Sequence, residues 1–521
     1  MQMPIDPASV SHPEPQDPAR PERPVHRQYA GSLIITAAVA VALGVVVRQP
    51  SLMSANDISR WCTVWSLLER GTYRIDDCPW QGETQDKVFI AVPGAPQAPA
   101  AGSGTASASA SEPMPTIKEG EPARHYYSSK PALLSTLIAG MLYPARRLTG
   151  IPLDHAISIP RAERYVWKPD PANPGKTKPV LETPEPLKWP VHGYYFKPVL
   201  IVLNVLPFAA FLILYARLLD REAPGDWAWL FALAAAAWGT YLLPFCQTLN
   251  NHTVAAFSAF FGIYQFWKIW DTGERASWRF AAAGFFTAFA AVNELPAAAF
   301  LAMAGGLLLW RFPAQTLKAG VPGALIPLLL FVACQWVEYG QFRLPYSEFG
   351  TESYEYEGSF WKYPLELDAL NKPEHRESYP VYFFHLTLGH HGLISLTPVF
   401  LFSLVGCIRL ASRGGRSLAV PARMTALLTA IVLGYYLWNP SGRNYGGSTQ
   451  GLRWMFWLIP FWLIMLPEGL RGGESHRWLR RLSIMALAIS AISVGYAMRN
   501  PWTHPWMLDL LERLNLYPLV H

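Results

Sequence analysis

The segment Asn56-Asp57-Ile58-Ser59-Arg60-Trp61 sets one carboxylate and one guanidinium at the head of a helical pattern, Ile58, Trp61, Val64, Trp65 and Leu68, that closes at Gly71. A carboxylate there is suited to take a proton from a hydroxyl. It is equally suited to cap the helix, with Asn56 or Asp57 accepting free amides, and the two roles are compatible. Further on, His125-Tyr126-Tyr127-Ser128-Ser129-Lys130-Pro131 places an ammonium directly before an apolar stretch. Lys130 can neutralise a lipid phosphate at headgroup depth, or simply lay its stem along apolar surface with its charge in water.

Three more clusters carry polar chemistry. Asn250-Asn251-His252 forms a short turn, a place that needs polar residues in any case. Glu294 stands between two apolar runs, where a carboxylate is expensive and is usually paired or functional; a plain hairpin tip is the alternative. Ser441 to Arg453 combines four glycines with Arg443, Tyr445 and Arg453. Amides freed by glycine, together with guanidinium forks, suit a phosphate or pyrophosphate, although no GxxxxGK[ST] nucleotide loop is present. Trp454 and Trp457 following it fit an interfacial aromatic belt. His390-His391 are adjacent, without a spaced carboxylate or third ligand, so no metal is expected and no cofactor is required. The acidic, aromatic stretch Glu348 to Tyr363 suits sugar stacking or a lid.

The elements that hold these clusters are those of a membrane protein. Of 521 residues, 51% are hydrophobic and only 15% charged, against about 25% charged in soluble domains. Runs long enough for a hydrocarbon core, about 20 residues, fall at 31–48, 196–216, 226–244, 253–270, 278–293, 295–311, 321–338, 391–409, 421–437, 452–468 and 481–498. The expectation is an all-α polytopic protein with about eleven transmembrane helices. The net charge of +6 does not point to nucleic acid, because the cations sit in short loops between apolar runs. Five cysteines are too few for a disulfide framework; Cys62 and Cys78 share one loop and either pair or stay separate thiols.

Charge parity sets the sidedness. Pro131 to Tyr143 is apolar but short, stopped by Pro144-Ala145-Arg146-Arg147. If it does not span, the loops on one side carry Arg217, Arg221, Lys268, Arg275, Arg279, Arg311, Lys318, Arg409, Arg413, Arg416, Arg423, Arg471, Arg477, Arg480 and Arg481, fifteen cations, against Arg443 alone in the short loops opposite. The positive-inside rule then makes the first set cytoplasmic. Residues 131–143 become an interfacial or re-entrant helix, and every polar cluster above falls on the outer face. The resulting division is a disordered cytoplasmic N-terminus (1–30), a first span read as an uncleaved signal anchor (31–48), and a large external loop with interfacial helices and flexible insertions at 91–122 and 168–190 (49–195). Six spans follow (196–338), then an external loop (339–390), four spans (391–498) and an external C-terminus (499–521).

On these residues the chain resembles the GT-C superfamily of membrane glycosyltransferases, especially the branch of protein O-mannosyltransferases, aminoarabinose transferases and galacturonosyl- or arabinosyltransferase-like bacterial proteins. The likeness rests on Asn56-Asp57 to Tyr73, on Tyr126-Tyr127-Ser128-Ser129-Lys130-Pro131-Ala132-Leu133, on Leu249-Asn250-Asn251-His252-Thr253, and on Asn444 to Arg453. It is good over about 50–310 and thinner beyond. The resemblance implies sugar transfer, usually with inversion, from a polyprenyl-phosphate donor to a lipid, glycan or protein acceptor outside the bacterial inner membrane. It maps the catalytic carboxylate onto Asp57, with His252 as a candidate partner, and the donor-phosphate lysine onto Lys130. Arg60, Tyr126, Tyr127, Asn250, Asn251, Glu294, Arg443, Tyr445 and Arg453 complete the expected binding set. Two departures stand: the family's acidic pair is Asn56-Asp57 here, and the acid often found in its second external loop is matched by Asn251 or His252. With an ordinary pKa near 4, Asp57 would be a weak base. The competing classes are a transporter or flippase for a lipid-linked intermediate, for which the midplane charges and internal repeats of such proteins are not detected, and an inactive assembly scaffold.

Overall fold

The computed structural model describes residues 24–91, 123–159, 164–169, 177–183, 185–190, 192–345, 348, 351–359, 377–414, 417–438 and 445–517. The N-terminal 23 residues, most of the 91–122 insertion and Arg443 lie outside them. Among the described residues, six helices are long and apolar enough to cross a membrane: α1 (Val25–Arg48), His192–Glu222, Asp226–Phe245, Pro313–Tyr339, Ala419–Trp438 and Arg477–Ala497. The other five expected spans fall on helices that are shorter or less apolar, Asn251–Trp270, Ser277–Asn293, Leu295–Arg311, Phe400–Ser412 and Ile459–Gly469. Four of the six long helices keep much of their apolar surface outward, whereas Asp226–Phe245 is mostly buried; Leu325, Ile326, Leu329, Leu330, Val332 and Val337 of Pro313–Tyr339 are all exposed. Water would penalise such a stripe, whereas lipid tails solvate it.

Small residues set the tightest crossings. A side chain at Gly406 would strike the Met465 carbonyl, and one at Gly469 the Phe402 carbonyl. The backbones of Phe400–Ser412 and Ile459–Gly469 therefore touch, the arrangement by which membrane helices gain packing without a hydrophobic driving force. Inside the bundle Trp61, Trp65, Trp229, Trp267 and Trp457 are fully buried. Trp457 is thus a core residue rather than part of an aromatic belt.

Polar contacts gather at two ends. At one, Arg27 pairs with Asp226, the Trp227 amide donates to Glu474, Ser417 donates to Glu222, the Leu418 amide donates to Asp271, and Arg413 and Arg471 pair with Glu468. At the other lie α2 (Ala55–Glu69), α3 (Ala132–Thr149) and a short ladder of β1 (Lys87–Ala91) with β2 (Arg124–Ser128).

Three local expectations change. The α2 cap is Ser54, whose hydroxyl accepts the Asp57 amide at 3.2 Å, so neither Asn56 nor Asp57 caps the helix. The helix expected to stop at Pro144 runs on to Thr149 and ends at Gly150, with φ +67°. A bidentate pair of Arg146 with Glu69, at 2.7 and 2.8 Å, holds that last turn against α2 and offsets the bond lost at proline. Finally, the loop is not helical throughout. Within the stretch read as a flexible insertion, Thr177–Glu182 pairs with Arg164–Pro169 and Leu187–Pro190 with Ala156–Ile159. Two-stranded ladders leave each strand a free edge, and prolines are tolerated there.

Candidate functional site

Asp57 is completely buried in the first turn of α2. Its Oδ1 accepts the Leu249 amide at 2.8 Å, and its Oδ2 is buried with no hydrogen-bond partner among the described residues. Burial pushes the carboxyl up to about 7, against the lowering pull of Ser54, the Leu249 amide and Arg60. This corrects the expectation of an ordinary, weakly basic aspartate: an ionised form that water no longer stabilises is a better proton acceptor near neutrality.

One turn on, Arg60 is also buried. It donates to the Asn56 side chain at 3.1 Å and to Asn251 Oδ1 at 2.6 Å. Burial lowers its pKa to about 10 while Asp86, Asp57 and Glu294 pull it back up, so it stays charged. Asn250 caps the helix Asn251–Trp270, its side chain accepting the Thr253 amide at 2.8 Å. That cap fixes the next two residues on one face. Asn251 donates to Glu294 Oε2 at 2.9 Å, and His252 Nδ1 lies 2.6 Å from the same oxygen. Glu294 is therefore the buried anchor of a polar turn, and His252 is directed to it rather than to Asp57.

Lys130 sits in the turn between β2 and α3. Its Nζ is 3.0 Å from Asp86 Oδ1, and burial lowers its pKa while Asp86 opposes the shift. Ser59 ties α2 to this turn, lying 2.5 Å from the Asp86 carbonyl and 2.6 Å from the Ser128 hydroxyl. Asp86 is the functional residue the sequence reading missed. It lies 44 positions before Lys130, across the 91–122 insertion, and only closure of the β1–β2 ladder brings the two together. Tyr126 and Tyr127 pair within that ladder and point to opposite sides, Tyr126 packing on Phe89 and Tyr356, Tyr127 on Tyr339. They position the Lys130 turn.

Arg453 completes the cluster. It is partly buried, its guanidinium lies over the Trp502 ring at 5.7 Å, and its Nε is buried with no hydrogen-bond partner among the described residues. Both Arg60 and Lys130 feel its charge. A side chain on Gly446, φ +106°, would meet the Arg453 stem. Tyr445 turns elsewhere, its hydroxyl donating to Glu377.

Three cations, the buried Arg60 and the partly buried Lys130 and Arg453, thus share this end with three buried carboxylates, Asp57, Asp86 and Glu294. When Asp57 holds a proton the balance is positive. In that state the site favours an anion, and once the proton is lost Asp57 becomes a base with one oxygen unpartnered among the described residues. Compared with protein-family models and with curated proteins, the chain matches none.

Proposed function

We propose that this chain is a membrane glycosyltransferase of the GT-C kind, moving a sugar from a polyprenyl-phosphate donor to a hydroxyl acceptor. In this reading all eleven apolar segments span or enter the membrane, and the end holding Asp57 faces outward from a bacterial inner membrane. The parity of loop cations supports that orientation. So does the grouping of Arg27, Asp226, Arg413, Glu468, Arg471 and Glu474 contacts at the opposite end.

The observation that carries the reading is the Asp57 carboxylate, buried, with Oδ1 fixed, Oδ2 without a hydrogen-bond partner among the described residues, and Arg60 close enough to act on it, while Lys130 and Arg453 lie within electrostatic reach of Arg60. Asp57 Oδ2 takes the acceptor hydroxyl proton as the hydroxyl oxygen bonds to the anomeric carbon. The bond from that carbon to the phosphate oxygen breaks with inversion, and the phosphate leaves with the bonding pair. Lys130, Arg453 and Arg60 stabilise the charge gathering on the phosphate, in a site where water does not screen it. Asn56 and Asn251 hold the Arg60 side chain, and Glu294 in turn holds Asn251 and His252.

The test is Asp57→Asn in purified protein with a radiolabelled polyprenyl-phosphate sugar. Asparagine keeps an oxygen for the Leu249 amide, so the fold stands while transfer falls by at least about a thousandfold, the scale of general-base plus orientation effects. Transfer at the wild-type rate overturns the assignment. Donor retained by the wild-type protein without turnover on any acceptor favours the scaffold reading.

A further inference from the structure

A second polar cluster shares no hydrogen bond with Asp57, Lys130 or Glu294, and its geometry points to a metal. We propose that Glu377, His385 and His390 bind one divalent transition-metal ion, with zinc the best match to two imidazoles and a carboxylate. The sequence had set the adjacent histidines aside for want of a third ligand; the chain supplies two more from residues 377–385. Glu377 Oε1 lies 3.8 Å from His385 Nε2 and 3.9 Å from His390 Nε2, and the three donor atoms all fall within 4.8 Å of one another. Ligands about 2.0–2.1 Å from a tetrahedral zinc stand roughly 3.3 Å apart, so a contraction of about half an ångström brings Glu377 to ligand spacing from both imidazoles.

The surroundings suit a ligand set. His390 is wholly buried, and its Nε2 has no hydrogen-bond partner among the described residues, an arrangement that costs free energy unless something fills it. Its Nδ1 is 2.5 Å from His391 Nδ1. One proton lies between two such nitrogens, and when His390 donates it, Nε2 is left with the bare lone pair that a metal needs. The Glu377 carboxylate is held by two hydroxyls, Tyr445 donating to Oε2 and Tyr517 to Oε1, the kind of outer support that orients ligating carboxylates. The His385 and His390 rings stack with centroids 3.9 Å apart, so both present an edge to one point. Metal on His385 Nε2 moves its proton to Nδ1, and the interaction given up is a long one, the His390 amide at 3.4 Å.

The ion would be structural, since His390 is inaccessible and His385 nearly so. It ties the 377–391 stretch, the segment that starts at Tyr445 and leads to Arg453, and the C-terminal Tyr517 into one junction. This proposal stands whether or not the chain transfers sugar.

The experiment uses the full chain in detergent, stripped with a chelator, dialysed and titrated with zinc chloride while bound zinc is measured by mass spectrometry. About one zinc per chain is expected for the wild type and for His476→Ala, which removes an exposed histidine. Glu377→Gln and His390→Ala should lose binding at least about a hundredfold, and Tyr445→Phe, which removes only outer support, about ten- to a hundredfold. Cobalt in place of zinc should give a visible absorption band in the wild type that Glu377→Gln abolishes. Should His390→Ala fail to elute as the wild type does, the near-isosteric Glu377→Gln carries the comparison. A stripped wild type that binds no zinc at micromolar concentration, or equal affinity in Glu377→Gln, overturns the proposal.

Discussion

Asp57 Oδ1 accepts the Leu249 amide at 2.8 Å across 192 positions of sequence, so the candidate base is held by a backbone N–H of the turn that carries Asn250, Asn251 and His252. A backbone donor cannot rotate away. The carboxylate is oriented, its second oxygen is left for substrate, and any shift of the 249–252 turn moves the base with it.

Burial raises Asp57 from 3.8 to about 7, which separates its effects on activity and stability. The folded pKa lies above the unfolded one, so between about pH 4 and 7 the native state binds the extra proton and stability falls as pH rises through that window. The full effect is on the order of 4 kcal/mol. Sugar transfer should move the opposite way, rising as pH passes about 7. Asp57→Asn should flatten the thermal-unfolding profile between pH 4.5 and 8; an unchanged slope would assign the shift to another group.

In the Lys130–Asp86 pair both side chains are largely but not wholly covered, 13% and 12% exposed. Lys130→Met should cost about 3–5 kcal/mol by stranding Asp86. Adding Asp86→Asn should restore much of that stability without restoring donor binding. Unfolding in detergent and donor KM, measured on the single and double variants, separate the structural from the phosphate-binding role of the lysine.

Glu294 anchors Asn251 and His252, and Asn251 in turn accepts from Arg60. Glu294→Ala should lower stability by about 2–4 kcal/mol, the cost of unpairing buried polar groups. It should reduce kcat more than donor KM, because the Asn251 acceptor of Arg60 loses its anchor while Lys130 keeps Asp86. Glu294→Gln should retain the Asn251 contact and fall between. A KM effect larger than the kcat effect would contradict a positioning role.

At the Phe400–Ser412 crossing with Ile459–Gly469, Gly406→Val forces a side chain into the Met465 carbonyl. The expected loss is about 3 kcal/mol or more, seen as a lowered unfolding temperature, whereas Gly434→Ala, with open space around it, should change little.

The residues most legible in the sequence were those whose chemistry is dear in an apolar setting. Asp57, Arg60, Lys130, Asn251, His252, Glu294 and Arg453 were found because charge and amide groups stand out among hydrocarbon, and the structure brings them to one end. Asp86 was not legible, because its partner is reached through a ladder that spans an insertion. The tie of Tyr445 to Glu377 was hidden for the same reason: the two lie 68 positions apart. The continuation of α3 past Pro144 depended on Glu69, 77 positions from Arg146. Local rules read caps and breakers well when neighbours decide; here distant side chains decided.

The β1–β2 ladder closes at the pair Ala91 and Arg124. The pairing of the two strands, rather than the chain between Ala91 and Arg124, sets Asp86 beside Lys130. That makes the segment a port: a short hairpin turn, an epitope or a fluorescent domain spliced between Ala91 and Arg124 should leave the lysine–aspartate register intact, and the chain can be tethered there without touching its chemistry.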